Sequence, residues 1–259
     1  MHHILLIAAI GIGVGMLVGV TGVGGGALLV PILVVALGVS PIVAVGTGTL
    51  FVAATKIGAG WQYHRQGRVD LRLVGRMAIG SIPGALLGVV CLALLRDYMG
   101  DSVNSLLKVM IGILLIATPS IALLKHYLEK TGKRSLRDRL PSFINAKNGT
   151  IMVGFIGGCL VGMTSMGSGS VIMTLLLLFY SRSTTTLVGT DITHSIILGA
   201  VAGAGHFALG TIDFPLLAAL LLGSIPGAWF AAKLAPSMNT VWLRRFLFSV
   251  LVVAGFSMF

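Results

Sequence analysis

The sequence predicts an all-α polytopic membrane protein of about ten transmembrane segments. It arranges them as two inverted five-segment repeats, with broken or short helices at matching positions. Three observations lead there: composition, an internal duplication and the placement of loop charges. Of the 259 residues, 56% are hydrophobic and only 10% are charged, and mean hydropathy is +1.02. That leaves too little polar surface to coat a soluble globule. Apolar runs of about 18 to 23 residues recur, and roughly 20 helical residues cross a hydrocarbon core of about 30 Å. The bilayer is the solvent.

A constant shift of 143 positions aligns the two halves. It carries Gly11, Gly15 and Gly19 onto Gly154, Gly158 and Gly162, and Thr21, Gly24 and Gly26 onto Thr164, Gly167 and Gly169. Val45-Gly46-Thr47 falls on Val188-Gly189-Thr190, and Gly67 and Asp70 fall on Gly210 and Asp213. Gly80-Ser81-Ile82-Pro83-Gly84-Ala85 recurs unchanged from Gly223 to Ala228. One offset serving so many separate matches marks a duplication. The first repeat takes residues 1–125, a basic cytoplasmic link 126–147, and the second, inverted repeat 148–259.

Taken in order, the apolar segments of the first half run 4–20, 27–37, 42–61, 73–95 and 103–124. Those of the second run 150–163, 169–180, 185–207, 213–235 and 242–259. The count falls to eight full crossings if the first two segments of each half form re-entrant hairpins. Five is odd, so the second half enters the membrane from the opposite side. Loop charges test this. Arg65, Arg68, Arg72 and Arg76 follow segment three, the basic link follows segment five, Arg182 follows segment seven, and Arg244 and Arg245 follow segment nine. All lie on one face, which positive-inside sorting makes cytoplasmic. The expectation is a multi-pass bacterial inner-membrane protein with both termini periplasmic. The formal charge of +11 is thereby explained without nucleic acid. The partners expected are the lipid bilayer, a small anionic substrate and protons, and oligomeric state is left open.

Inverted repeats carry transport sites near the midplane, where hydrophobic segments are interrupted at matching places. The breaks are Thr21-Gly22-Val23-Gly24-Gly25-Gly26 and Thr164-Ser165-Met166-Gly167-Ser168-Gly169. Helices starting there offer unpaired N–H groups and partial positive charge to an anion, and the Thr21, Thr164, Ser165 and Ser168 hydroxyls add donors. Thr47, Thr49 and Thr190 complete the candidate substrate-binding set. The alternative is that the glycines serve close helix packing, as the four-residue spacings Gly11-Gly15-Gly19, Gly154-Gly158-Gly162 and Gly80-Gly84-Gly88 do.

Asp191 is the one carboxylate clearly inside an expected span. A charge there costs roughly 2.5–3.5 kcal/mol on insertion scales. Three readings compete: proton coupling with His194, one turn on; a structural hydrogen bond to another helix; and an ion pair with Lys56, at similar depth. For Lys56 itself the favoured expectation is snorkelling to the interface. Trp61, Tyr63 and His64 read as an aromatic belt, His206 as a loop residue, and Asn148-Gly149-Thr150 as a sequon on the wrong face. Cys91 and Cys159 read as small hydrophobes, and neither cofactor nor metal is expected.

These motifs resemble the TauE/SafE family, often called sulfite exporters. The resemblance is carried by Gly19-Val20-Thr21-Gly22-Val23-Gly24-Gly25-Gly26 with Pro31 downstream, Ala44-Val45-Gly46-Thr47, Gly162 to Gly169, Val188-Gly189-Thr190-Asp191 and both Gly-Ser-Ile-Pro-Gly-Ala runs. It implies transport of sulfite, thiosulfate, sulfonates or related organic anions, often as export. It does not imply which anion. Ser168 stands at the place of Gly25, and Thr174 at that of Pro31. A secondary carrier is the leading expectation, an anion channel the second. A hydrolase built on Ser168 or Ser170 with His194 is weaker, because nothing marks an oxyanion hole.

Overall fold

The structure is a computed structural model that describes residues 2–22, 25–130, 147–167, 169, 171–180, 182–235 and 240–259. The regular elements among the described residues are all helices, with no strand. In chain order the helices are α1 (His2–Thr21), α2 (Gly25–Pro31, continued by a π-helical turn Ile32–Ala36), α3 (Pro41–Arg65), α4 (Leu71–Met99) and α5 (Ser102–Lys130). Then come α6 (Lys147–Thr164), α7 (Val171–Phe179), α8 (Thr184–Ala208), α9 (Phe214–Leu234) and α10 (Thr240–Phe256). Five are long and apolar enough to cross a membrane: α3, α4, the Ser102–Ile121 part of α5, α8 and α9. Leu5–Thr21, Gly25–Ala36, Asn148–Thr164 and Leu247–Phe256 are shorter apolar stretches. The link 131–146 lies outside the described residues.

The first helix of each half packs on the fourth helix of the other. A Cβ added to Gly11, Gly15 or Gly19 of α1 would meet the backbone of Leu220, Ser224 or Ala228 of α9. On α6, Gly154, Gly158 and Gly162 meet the backbone of Met77, Ser81 and Ala85 of α4. Each contact is its counterpart shifted by 143. Both pairs therefore run parallel, backbone against backbone, as small residues every fourth position allow. The two long central helices cross differently. Gly60 of α3 lies against Ile196 and Ile192 of α8, Gly199 against Ala53, and Gly203 against Leu50. These two equivalent helices run antiparallel.

The connecting turns repeat as well. Gly67 and Gly210 take φ of 65° and 67°, a left-handed conformation that favours glycine. Asp70 and Asp213 then cap α4 and α9, accepting from the Leu73 and Leu216 amides at 3.1 and 3.0 Å. Asp70 N–H donates to Thr190 Oγ1 at 3.0 Å, and Asp213 N–H to Thr47 Oγ1 at 3.0 Å. Each cap is thus pinned to the other half. His206 is a correction: it is not a loop residue but buried in the last turn of α8. Its Nε2 lies 2.9 Å from the Gly162 carbonyl, as the equivalent Tyr63 hydroxyl donates to the Gly19 carbonyl at 3.1 Å. Tyr63, fully buried, is not an interfacial belt residue, whereas Trp61 is exposed.

The stripe generates a paired prediction. Gly15→Ala places a methyl 2.7 Å from Ser224 Cα and should destabilise by about 1–3 kcal/mol, the usual cost of overpacking. Gly13→Ala, with nothing within 4 Å, should be silent. Thermal unfolding of the two variants in one detergent separates them, and equal midpoints would refute backbone contact at Gly15.

Candidate functional site

Each half begins with the same event. Helix α1 ends at Thr21, and Gly22 follows with φ of 67°; α6 ends at Thr164, and Ser165 follows with φ of 60°. These positions differ by 143. Gly22 takes the left-handed conformation freely, whereas a side chain there costs about 1–2 kcal/mol. Ser165 is the only described non-glycine residue at positive φ. The chain then restarts as α2 and α7, with the Ile172 amide donating back to the Gly167 carbonyl at 2.8 Å.

The two breaks come together. A Cβ on Gly26 would meet the Ser165 carbonyl and lie 2.8 Å from its hydroxyl, and one on Gly48 of α3 would lie 3.3 Å from that hydroxyl. Gly22 rests on Val188 of α8, and Gly25 on Val52 and Phe51 of α3. Thr21, Gly22, Gly25, Gly26, Thr164, Ser165, Gly167 and Gly169 are all buried. Gly24 and Ser168 lie outside the described residues, as does Ser170. The breaks are shut onto each other in this conformation.

The hydroxyls differ from expectation. Thr21 and Thr164 donate to the Leu17 and Leu160 carbonyls of their own helices, each at 2.6 Å. Thr49 donates to Val45 at 2.7 Å. Thr190 donates to Thr186 at 2.7 Å while accepting from Asp70, and Thr47 accepts from Asp213. Helical threonines satisfy themselves this way. Thr47 and Thr190 therefore dock helices, and Thr21, Thr49 and Thr164 would have to rotate before donating to a ligand. Ser165 Oγ stands apart: it is buried and has no hydrogen-bond partner among the described residues.

A second buried polar group sits one to two turns from the breaks. Lys56 and Asp191 are fully buried, with Nζ 3.6 Å from Oδ2. Lys56 also donates to Ser195 Oγ at 2.9 Å, and Ser195 donates to the Asp191 carbonyl at 2.6 Å. The snorkelling expectation for Lys56 fails, since a 25-residue α3 keeps it deep against α8. His194 does not bond to Asp191 here. Its Nε2 lies 2.8 Å from Ser81 Oγ of α4, and Nδ1 has no hydrogen-bond partner among the described residues. Sequence reasoning missed Ser81 and Ser195, which carry no signal until the helices are packed. It also missed Thr55, whose hydroxyl lies 2.7 Å from that of Ser224.

Two open clefts occupy related places at the outer ends of the helices. One, of about 900 Å³, is lined by Asp70, Arg72, Arg76, Tyr180 and Arg182. The other, of about 570 Å³, is lined by Leu37, Val39, Asp213, Pro215 and Ala219. Arg182 reaches Asp70 at 3.3 Å, and Val39 holds the equivalent place beside Asp213. The clefts match in position and differ in charge. Neither is lined by a break residue.

Long apolar helices fit a multi-pass membrane protein. Residues 7–258 match the family described as "Sulfite exporter TauE/SafE", and the chain belongs to that family. It is similar to the "Probable membrane transporter protein YjnA" of Bacillus subtilis (strain 168), 35% identical over 249 residues, covering 96% of this chain and 97% of that one. It is also similar to the "Probable membrane transporter protein YdhB" of the same organism, 25% identical over 245 residues, covering 93% and 94%.

The strained break yields a prediction. Ser165→Gly removes a left-handed side chain and an unpartnered hydroxyl, and should stabilise by about 1 kcal/mol. Gly22→Ala should destabilise by a similar amount or more, with Val188 Cγ1 3.0 Å from the new methyl. Shifts of the same sign in thermal unfolding would contradict the geometry assigned to the breaks.

Proposed function

We propose that this membrane transporter is a secondary carrier of small anions, sulfur-containing ones such as sulfite, thiosulfate or organosulfonates, working by alternating access. The observation that carries the proposal is the meeting of the two breaks, with Gly26 on Ser165 and a buried Ser165 hydroxyl that has no hydrogen-bond partner among the described residues. Backbone leaves a helix at membrane depth only inside protein or beside a water-filled cavity. Two such places pressed together close a site that motion of either half would open.

The halves are read as inverted about an axis in the membrane plane. The antiparallel α3 and α8, the reciprocal contacts at a shift of 143, and the basic loops on one face support this. Exchange of the two halves' conformations would then open the site alternately to each side. Residues 1–125 and 148–259 are the two repeats in this reading, joined by a cytoplasmic link, with both termini periplasmic in the inner membrane. The helix running from Gly25 to Ala36 and α7 turn their amide ends toward the bound anion. Sulfite and the direction of export follow the family's description, and thiosulfate and organosulfonates extend the proposal to related sulfur oxyanions.

Counterflow in proteoliposomes tests the carrier. Labelled sulfite, thiosulfate and methanesulfonate are offered against internal unlabelled anion. Saturable exchange is expected, and flux that follows voltage without saturating would favour a channel instead. Gly26→Ala, whose methyl collides with the Ser165 carbonyl, should lower exchange at least about tenfold, equivalent to about 1.4 kcal/mol. Gly13→Ala should leave it unchanged. Full exchange by Gly26→Ala would remove the breaks from the site.

A further inference from the structure

We propose that Lys56 is the countercharge for the transported anion, and that Asp191 is a displaceable occupant of the same place, so that each anion binds together with one proton. This rests on the transport reading above and assigns the coupling within it.

The pair is poorly built as a permanent structural link. A buried ion pair offsets its desolvation only when geometry is excellent and the remaining lone pairs are satisfied. Here the closest approach is 3.6 Å, and neither Asp191 Oδ1 nor Oδ2 has a hydrogen-bond partner among the described residues. Lys56 has three donors, and its one hydrogen bond between described side chains runs to Ser195. An anion with several oxygens would take the unused donors at better geometry than the carboxylate does.

Position favours the same assignment. Lys56 lies one helical turn beyond Val52, which packs on Gly25 of the first break. Asp191 lies three residues beyond Val188, which packs on Gly22. At 1.5 Å per residue, they lie about 6 Å and about 4.5 Å along their helices from a break contact. The pair also breaks the repeat symmetry. The shift of 143 sets Gly48 opposite Asp191 and Gly199 opposite Lys56, and Gly48 lies against Ser165. One side of the junction is thus charged and the other is bare backbone. An anion between them has a single ammonium to neutralise it, held by a carboxylate it must displace.

Displacement needs a proton. A bare Asp191 carboxylate left beside a bound anion would put two negative charges against one ammonium in a low-dielectric interior. Taking up a proton from the open aqueous side converts the carboxylate to neutral carboxylic acid, and release of the anion returns it. The groups near Asp191 are few: Lys56 from α3, His194 and Ser195 from its own helix, and Ser81 of α4, which holds His194. Tyr63 of α3 lies beside Gly189, with its hydroxyl on the Gly19 carbonyl. Helix α6 carries Cys159 and no charged residue between Asn148 and Thr164, and α7 has no ionisable group. Lys56 and Asp191 are the only buried Lys, Arg, Asp or Glu among the described residues.

The test uses thiosulfate and methanesulfonate, which stay fully ionised across the physiological pH range, so any pH effect belongs to the protein. Proteoliposomes carry an internal pH dye. In the wild type, anion entry should bring protons with it, and the half-saturating concentration should fall about tenfold per unit fall in pH while one proton binds with each anion. Asp191→Asn, which imitates the protonated acid, should lose proton movement and make the half-saturating anion concentration independent of pH. Asp191→Glu should restore coupling. Lys56→Met should abolish exchange; because it strands a buried carboxylate, Lys56→Met/Asp191→Asn is the folded control, and it should insert normally and bind no anion. Proton movement that persists in Asp191→Asn, or exchange at wild-type level in the double variant, overturns the assignment. Wild-type exchange without proton movement overturns it too, while leaving the carrier intact. No wild-type exchange of either anion overturns both.

Discussion

A hydrocarbon interior offers no hydrogen-bond partner to a backbone amide, and this constraint organises the rest of the molecule. Both halves interrupt a helix at buried depth, at Gly22 and at Ser165. Each interruption is tolerable because the other half covers it. The covering elements are drawn in by glycine stripes: α1 on α9 and α6 on α4, with carbonyls where a Cβ would sit. Replacing the stripes with larger residues would separate the helices and uncover the breaks. The packing glycines and the break glycines are therefore two parts of one device.

Within that symmetric frame the chemistry is asymmetric. Several contacts have a partner at 143 positions' remove: between the halves the two caps on Thr47 and Thr190, and within each half the turns at Gly67 and Gly210 and the bonds of Tyr63 to Gly19 and His206 to Gly162. Lys56 and Asp191 do not. The clefts at the two ends match in position but not in charge, one bearing Arg72, Arg76 and Arg182 where the other has Pro215, Ala219 and Val39. Positive-inside sorting explains the arginines, because equivalent loops face opposite compartments in the inverted reading. It does not explain a buried pair. In the proposed carrier a duplicated scaffold would supply two exchangeable conformations, and one charged half-site would give the exchange something to couple to.

Much of the fold was legible in the sequence because glycine and proline report backbone directly. The repeat offset, the short segments after each break and the packing stripes all come from residues whose role is steric and local. The helix bounds fell within a few residues for the same reason. What was not legible depends on which faces meet. Lys56 read as a snorkelling residue because its depth alone allows that, and only the packing of α3 on α8 removes its way out. His206 and Tyr63 read as loop and belt residues for want of the Gly162 and Gly19 carbonyls that hold them. Thr47 and Thr190 looked like ligand donors, since nothing in a linear sequence shows a cap from the other half arriving at the hydroxyl. Gly24 and Ser168 lie outside the described residues.

The most direct measurement is anomalous diffraction from crystals grown with selenite, the heavier analogue of sulfite. One selenium peak is expected between the two breaks, within contact of Gly26, Ser165 and the Lys56 ammonium. A peak at a loop or cleft with none between the breaks would contradict the account. So would electron density showing α1 and α6 running unbroken through residues 21–26 and 164–169.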